Sequence, residues 1–454
     1  MSGTRIASVS GLRGVVGDGL DPAAAVEFAA AYASSCAAGP IVVGHDGRVS
    51  APVFVPAVLA GITGTGRDAL LVGPAATPTL GRLVRDQGAS GGVMISASHN
   101  PPKWNGLKFF QPEGMVLSPV QGREVLRRFN DRQFGWAAWD SLGRVRSLED
   151  PDVAHLNAVL KTVDVRAIRK KAFPVVLDAC HGGGGRMGAE LLRALGCKAV
   201  VIGGQPDGRY DHPPEPTEAN LRAFTSIVPA TCATVGFAQD PDADRLAIVD
   251  ENGRYIGEEL TLALAARRRL GQVRGPVVIN LSTSKVTEAV AREFGCPVYR
   301  TPVGEINGVE RMRLESAVLG GEGNGGVIDP RVGFVRDSFV AMALVLDLMA
   351  ETGEPLSRLV DSLPRFAMVK HQYPLTGSGE TGEVEALWER ISSDYPSAEA
   401  DRRDGLRLEW PDRWVHVRAS NTEPIVRVIA EAADTPQAEA LAREVGRRVT
   451  SGGR

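Results

Sequence analysis

Residues 40–72 read PIVVGHDGRVSAPVFVPAVLAGITGTGRDALLV. The run at 40–44 is short, apolar and β-branched, as a buried strand should be. Residues 51–63 stay apolar for too long to be one strand and read as a helix. Residues 69–72, ALLV, read as the next strand. Working outward, GVMI at 92–95 reads as another strand that runs into a polar loop. Strand, helix and strand in alternation are the mark of a parallel sheet covered by helices.

The rhythm restarts twice. PVVLD at 174–178 is followed by four glycines at 182–185, a helix expected over 186–195 and a strand KAVVI at 198–202. PVVIN at 276–280 is followed by Ser282-Thr-Ser, a helix expected over 285–294 and a strand starting at Val298. Beyond 366 the pattern changes. Residues 366–374, 405–410, 414–419 and 425–431 read as strands, with a helix over 437–449. That combination predicts a small α+β unit with a mostly antiparallel sheet. The expected fold is therefore α/β: three similar α/β domains with mixed, largely parallel sheets, then a C-terminal α+β domain. The expected bounds are 1–150, 151–253, 254–365 and 366–454.

The 454 residues include 43% hydrophobic and 23% charged side chains, with a formal net charge of −3. This is the composition of a globular protein of about three or four domains. The slight negative balance argues against a nucleic-acid partner. The apolar run at 339–349 is too short to span a bilayer, so no membrane association is expected. Five scattered cysteines, Cys36, Cys180, Cys197, Cys232 and Cys296, lack metal-site spacing. They read as reduced core thiols of a cytoplasmic protein.

Four segments carry chemistry. Residues 96–108, SASHNPPKWNGLK, follow the strand at 92–95. Ligands bind at such a C-terminal strand edge. Ser98 there is a candidate nucleophile beside His99 and Lys108, if something neutralises an arriving phosphoryl group. Taken alone the segment is equally a polar turn, because Asn-Pro and Asn-Gly are common turn formers. Residues 236–245, GFAQDPDADR, bring Asp240, Asp242 and Asp244 within five positions. Three like charges so close favour a hard cation, and magnesium is the usual ion for phosphate chemistry. A calcium loop would need Gly at the sixth position from Asp240 and Glu at the twelfth; Arg245 stands at the sixth. Residues 320–326, GGEGNGG, place Glu322 and Asn324 among five glycines, where a carboxylate can take two sugar hydroxyls. Residues 418–427, RASNTEPIVR, join Arg418 and Arg427 to Ser420, Asn421 and Thr422, a set suited to a phosphate.

Together these segments resemble the signature loops of the α-D-phosphohexomutase superfamily, in family order and over nearly the whole chain. The first is similar to the phosphoserine loop Thr-Ala-Ser-His-Asn-Pro with Asn-Gly-x-Lys, with Ser96 for Thr. The second resembles the metal loop Asp-x-Asp-x-Asp-Arg, and the fourth matches the phosphate loop Arg-x-Ser-Asn-Thr-Glu-Pro-x-x-Arg. The third resembles Gly-Glu-x-Ser-Gly-His, with Asn324 for Ser and Gly326 for His. Shorter likenesses lie at residues 10–14 (SGLRG), 44–50 (GHDGRVS, His45 for Arg) and 301–304 (TPVG). A lysine often found soon after the last is absent.

The resemblance implies a four-domain intramolecular phosphotransferase that interconverts hexose 6-phosphate and hexose 1-phosphate. Phospho-Ser98 would give its group to the sugar, forming a hexose 1,6-bisphosphate that also serves as activator, and then take the other group back. Ser98, Asp240, Asp242 and Asp244 would hold one Mg2+. Lys108, Arg13, His99 and Arg245 would serve catalysis, with Lys108 as general base and Arg245 assisting. Glu322 and Asn324 would bind the sugar and Thr301 and Gly304 the substrate; Arg418, Ser420, Asn421, Thr422 and Arg427 would bind the distal phosphate. The third loop is most similar to forms assigned to glucosamine phosphate, with mannose and glucose forms close behind. The expected protein is a monomer or homodimer. Two rivals stand: a non-catalytic sugar-phosphate binder, kept open by the missing histidine but opposed by the presence of Ser98, the three aspartates and Lys108, and a phosphatase with an aspartyl nucleophile, which would survive Ser98→Ala.

Overall fold

The structure, a computed structural model, describes residues 5–8, 11–375, 381–419 and 425–450. Four sheets organise them. The first runs Arg5–Ser8, Gly11–Val16, Trp104–Phe110, Gly91–Ile95, Ile41–His45, Ala69–Pro74 and Val145–Ser147, with Gly19–Leu20 beside Gly11–Val16. The second runs Lys198–Ile202, Pro174–Asp178, Val235–Gln239 and Leu246–Asp250. The third runs Val298–Thr301, Val277–Asn280, Leu319–Glu322 and Gly326–Ile328.

One four-strand pattern recurs in all three. A central strand has a parallel neighbour on each side, and one of these neighbours turns into an antiparallel partner. The turning loops are residues 96–103, 240–245 and 323–325. The serine, aspartate and glycine-rich segments thus occupy the same topological position, at the C-terminal edge of a parallel strand. Sequence reading placed the strands at 40–44, 69–72, 92–95, 174–178, 198–202 and 276–280 to within two residues; it marked neither Trp104–Phe110, Leu319–Glu322 and Gly326–Ile328 nor the pair Val235–Gln239 and Leu246–Asp250. Both are five residues long and wholly buried, so neither shows the alternation that betrays a half-exposed strand.

The fourth sheet is antiparallel throughout, in the order Ala367–Pro374, Ile425–Ala432, Trp414–Ala419, Leu406–Glu409 and Glu399–Asp401. Arg418 and Arg427 are direct cross-strand partners there.

The apolar run at 339–349 lies in the helix Ser338–Thr352, buried from Ser338 to Met349. A helix apolar on every side belongs in a core. This one joins the second and third sheets into a single hydrophobic cluster. Asp337 caps it by accepting from the N–H groups of Phe339 and Val340. The other Asp337 oxygen lies 2.7 Å from His155 Nε2, and His155 Nδ1 lies 2.9 Å from Thr79 Oγ1. This buried relay ties the helices Thr77–Asp86 and Val153–Leu160 to the start of Ser338–Thr352. Among the described residues no helix is long and apolar enough to cross a membrane.

The glycines at 182–183 serve packing. A Cβ at Gly182 would lie 2.2 Å from the Pro241 carbonyl oxygen, and one at Gly183 would lie 2.0 Å from that of Ala75. All five cysteines are free, but the expectation of core thiols needs correction: Cys232 is exposed. It sits in the left-handed turn (φ 52°) that follows the helix Arg222–Ala230.

Candidate active site

The serine loop is held from below by one arginine. Arg48 is 1% exposed and donates from Nε to Asp46 Oδ2 at 3.0 Å. Its Nη2 donates to the carbonyls of Ser98 (2.5 Å) and Asn100 (2.8 Å), and its Nη1 to those of Pro101 and Trp104 (both 2.9 Å). Asp46 also accepts from Ser96 Oγ at 2.6 Å, and Ser96 Oγ accepts the Ser98 N–H at 2.8 Å. This network holds Ser98 at φ 51°, a left-handed conformation that costs a non-glycine residue about 1–3 kcal/mol. Ser98 Oγ donates to Asp240 Oδ2 at 3.0 Å, so the serine and aspartate loops meet.

Asp240, Asp242 and Asp244 are fully buried, with ligand atoms within 4.8 Å of one another. Asp240 Oδ1 shapes its own loop by accepting the N–H groups of Asp244 and Arg245, both at 3.1 Å. Asp242 Oδ2 accepts from Thr77 Oγ1 (2.6 Å) and from Lys108 Nζ (2.5 Å). Asp244 Oδ2 takes Lys108 Nζ (3.2 Å) and Arg336 Nη2 (2.7 Å). Asp242 Oδ1 and Asp244 Oδ1 are buried without a hydrogen-bond partner, with Arg245 Nε 3.7 Å from Asp244 Oδ1. Orphaned carboxylate oxygens beside Asp240 and the Ser98 hydroxyl are the donor set of a hard divalent cation, so the residues fit a metal.

The charges are coupled. Burial and the two neighbouring carboxylates push the Asp240 carboxyl well above its usual range. Burial opposes ionisation of Asp242 and Asp244 too, but Lys108 and, at Asp244, Arg336 outweigh it and hold both low. Burial pulls Lys108 down, yet Asp242 and Asp244 raise it overall, so it stands as an ammonium. Burial, with Arg245 and Arg13 nearby, lowers His99 to about 3, which makes it a neutral imidazole.

Above this floor opens a cavity of about 770 Å³. Arg13, His99, Lys108, Arg245, Gly304, Glu322, Asn324, Arg418 and Arg427 all line it, so the structure brings these sequence candidates together. Arg13 donates to Asn100 Oδ1 at 3.1 Å. Glu322 is braced by Asn280 (3.2 Å), Asn324 (3.2 Å) and Arg336 (2.5 Å). Burial would raise its carboxyl, but Arg336 outweighs this and keeps it ionised. Arg418 Nε lies 3.2 Å from Asp404 Oδ2. Thr301 differs: it is 4% exposed, its hydroxyl points to the Ile279 carbonyl at 3.5 Å, and it does not line the cavity. Ser420, Asn421 and Thr422 lie outside the described residues.

Four family models match in chain order. They are the phosphoglucomutase/phosphomannomutase α/β/α domains I (residues 4–136), II (153–253) and III (257–366) and the C-terminal domain (393–447). The probable phosphoglucosamine mutase of Methanopyrus kandleri is 36% identical over 438 residues, which covers 96% of this chain and 95% of that one. The chain belongs to the phosphoglucomutase/phosphomannomutase family. Its members are phosphohexomutases, isomerases that work by phosphoryl transfer, and this chain is an enzyme of that class. A phosphoglucomutase/phosphomannomutase of Thermococcus kodakarensis is 35% identical, with 96% of this chain and 95% of that one covered. A family protein of known structure from Burkholderia thailandensis superposes with a TM-score of 0.85 at 25% identity, covering 98% of this chain and 97% of that one.

Against this family pattern, sequence reading missed several cavity residues. Thr77, Glu259, Arg336 and Lys370 all line it. None lies in a segment that looks chemical by itself. Arg336 had one signal: it precedes Asp337-Ser338 and a long apolar run, the mark of a helix N-cap.

Proposed function

We propose that this phosphohexomutase interconverts glucosamine 6-phosphate and glucosamine 1-phosphate, with Ser98 carrying the phosphoryl group between turnovers. The observation that carries the reading is the contact of Ser98 Oγ with Asp240 at 3.0 Å, beside the orphaned oxygens of Asp242 and Asp244. In our reading four domains, bounded near 150, 253 and 366, each contribute one loop. Asp240, Asp242, Asp244 and Ser98 hold magnesium, which when bound would neutralise the oxygens of the phosphoserine and polarise its phosphorus–oxygen bond.

The chain's own groups supply the rest. Glu322 orients the sugar by accepting from its hydroxyls, aided by Asn324. Arg418 and Arg427, with residues 420–422, grip the phosphate that is not being moved. Arg13 and Arg245 face the transferring group from the cavity wall. When phospho-Ser98 gives up its group, Lys108 can protonate the leaving serine oxygen while the attacking sugar hydroxyl yields its proton to the transferring phosphoryl oxygens; in the second transfer Lys108 takes back the proton of the attacking Ser98 hydroxyl and the departing sugar oxygen recovers its own. Phospho-Ser98 gives its group to the free hydroxyl, the resulting hexose 1,6-bisphosphate turns over, and Ser98 takes the other group. Positioning and charge neutralisation do most of this work. The relatives named phosphoglucosamine mutase support the amino sugar. We place the enzyme in the cytoplasm.

The test is a coupled assay with magnesium and a trace of hexose 1,6-bisphosphate, run on glucosamine, glucose and mannose phosphates side by side. Ser98→Ala and Asp240→Asn should each abolish turnover, and a chelator should abolish it until magnesium is restored. Activity that survives Ser98→Ala but not Asp240→Asn would instead establish an aspartyl phosphatase. A preference for glucose or mannose phosphate would overturn the sugar assignment alone.

A further inference from the structure

The family pattern carries a histidine where this chain has Gly326, and the neighbourhood of that glycine shows what replaced it. Gly326 does not adopt the left-handed backbone that demands glycine. Its obstacle is spatial: a Cβ there would lie 2.3 Å from Arg336 Cδ and 2.9 Å from Arg336 Cγ. The missing side chain is therefore the channel through which the Arg336 arm reaches the site.

The head of that arm meets three carboxylates from three segments. Nη2 donates to Asp244 Oδ2 at 2.7 Å, Nη1 donates to Glu322 Oε2 at 2.5 Å, and Nε lies 2.8 Å from Glu305 Oε2. Its root is equally fixed, because the next residue, Asp337, caps the central helix and is tied through His155 to Thr79. A planar guanidinium can hold two carboxylates at set angles; an ammonium cannot.

We infer that Arg336 is a positioning residue that couples the metal loop to the sugar loop, and that Gly326 exists to admit it. By occupying Asp244 Oδ2, it leaves only Oδ1 for a cation. By holding Glu322 Oε2, it fixes the carboxylate that faces the sugar. It fills from position 336 the space a side chain at 326 would take. The inference rests on the proposed roles of these two loops.

The test uses the full chain, with Mn2+ as the metal probe followed by electron paramagnetic resonance, alongside kcat and KM. Arg336→Ala removes a positive charge next to a divalent site, so Mn2+ should bind more tightly, by about tenfold. Glu322 loses a charged hydrogen bond, and KM for the sugar phosphate should rise about tenfold or more. Gly326→Ala adds one methyl that must displace the arm, and it should shift both quantities in the same directions. In the double variant Gly326→Ala/Arg336→Ala, the glycine change should add little, because the Arg336 carbons it strikes are gone and the remaining close neighbour, Asn324 Oδ1 at 3.1 Å, has to give by only a few tenths of an ångström. Arg336→Lys should keep Mn2+ affinity near wild type while KM rises, since it restores the charge but not the fork. A merely structural arginine would instead weaken Mn2+ binding in every variant. Additive effects in the double variant, or a Gly326→Ala protein that behaves as wild type, would overturn the inference. The Mn2+ cycle does not need turnover, so a wild-type protein inactive on every hexose phosphate would refute the mutase reading and leave this one decided by binding.

Discussion

Arg48→Lys should loosen the serine loop without removing any proposed catalytic group. Arg48 serves five acceptors: Asp46 and the carbonyls of Ser98, Asn100, Pro101 and Trp104. A lysine keeps the charge beside buried Asp46, which avoids the larger penalty of an unpaired carboxylate. Its single ammonium cannot span the fork, so at least two carbonyl bonds are lost. At about 1.5 kcal/mol for each charge-assisted bond, the variant should lose about 3 kcal/mol. If residues 5–147 unfold as a unit, their thermal midpoint should fall by roughly 6–12 °C. The strained φ of Ser98 would relax as its carbonyl is released, which shifts the nucleophile. A displacement near 1 Å lowers rate by about a hundredfold. The assays are differential scanning calorimetry, intact-mass measurement of phosphate on Ser98 and the mutase assay. A variant with unchanged midpoint and full turnover would refute the argument that Arg48 holds the loop in its strained form.

Three further outcomes follow from the packing and the charges. Burial raises the Glu259 carboxyl to about 8, so the folded state binds a proton that the unfolded state releases near 4.5. Stability should therefore fall as pH rises from about 4.5 to about 8, and Glu259→Gln should flatten that slope in urea titrations at several pH values. Leu344→Ala, in the middle of the buried helix Ser338–Thr352, should cost about 2–5 kcal/mol, read as a lower urea midpoint. Under native conditions a maleimide should label exposed Cys232 first and buried Cys180 last, as peptide mapping by mass spectrometry would show.

Much of the fold was legible because its strands and helices announce themselves locally. The runs at 40–44, 174–178 and 276–280 are short and apolar, and each is followed by small or polar residues and then a stretch that reads as a helix. Each chemical loop was legible for a similar reason: Ser98 with its neighbours, the three aspartates, and Arg418 with Arg427 each lie within about a dozen residues, and a family motif is a local string. What stayed hidden was long-range. The sequence separation between Ser98 and Asp240 is 142 residues, and between Asp244 and Arg336 it is 92. Nothing in a local window reveals that Arg336 lines the cavity, or that its side chain passes where a Cβ at Gly326 would stand. The recurrence of one strand order in three sheets was hidden too, because pairing partners are set by burial between segments far apart in the chain. Sequence alone therefore determined which loops gather the candidate chemical residues and how the chain is built from α/β units. Only the tertiary structure decided which oxygen of each aspartate is spoken for, how Ser98 is strained and held, and that Arg336 joins the carboxylates of Asp244 and Glu322, because those follow from contacts made only when separate units pack together.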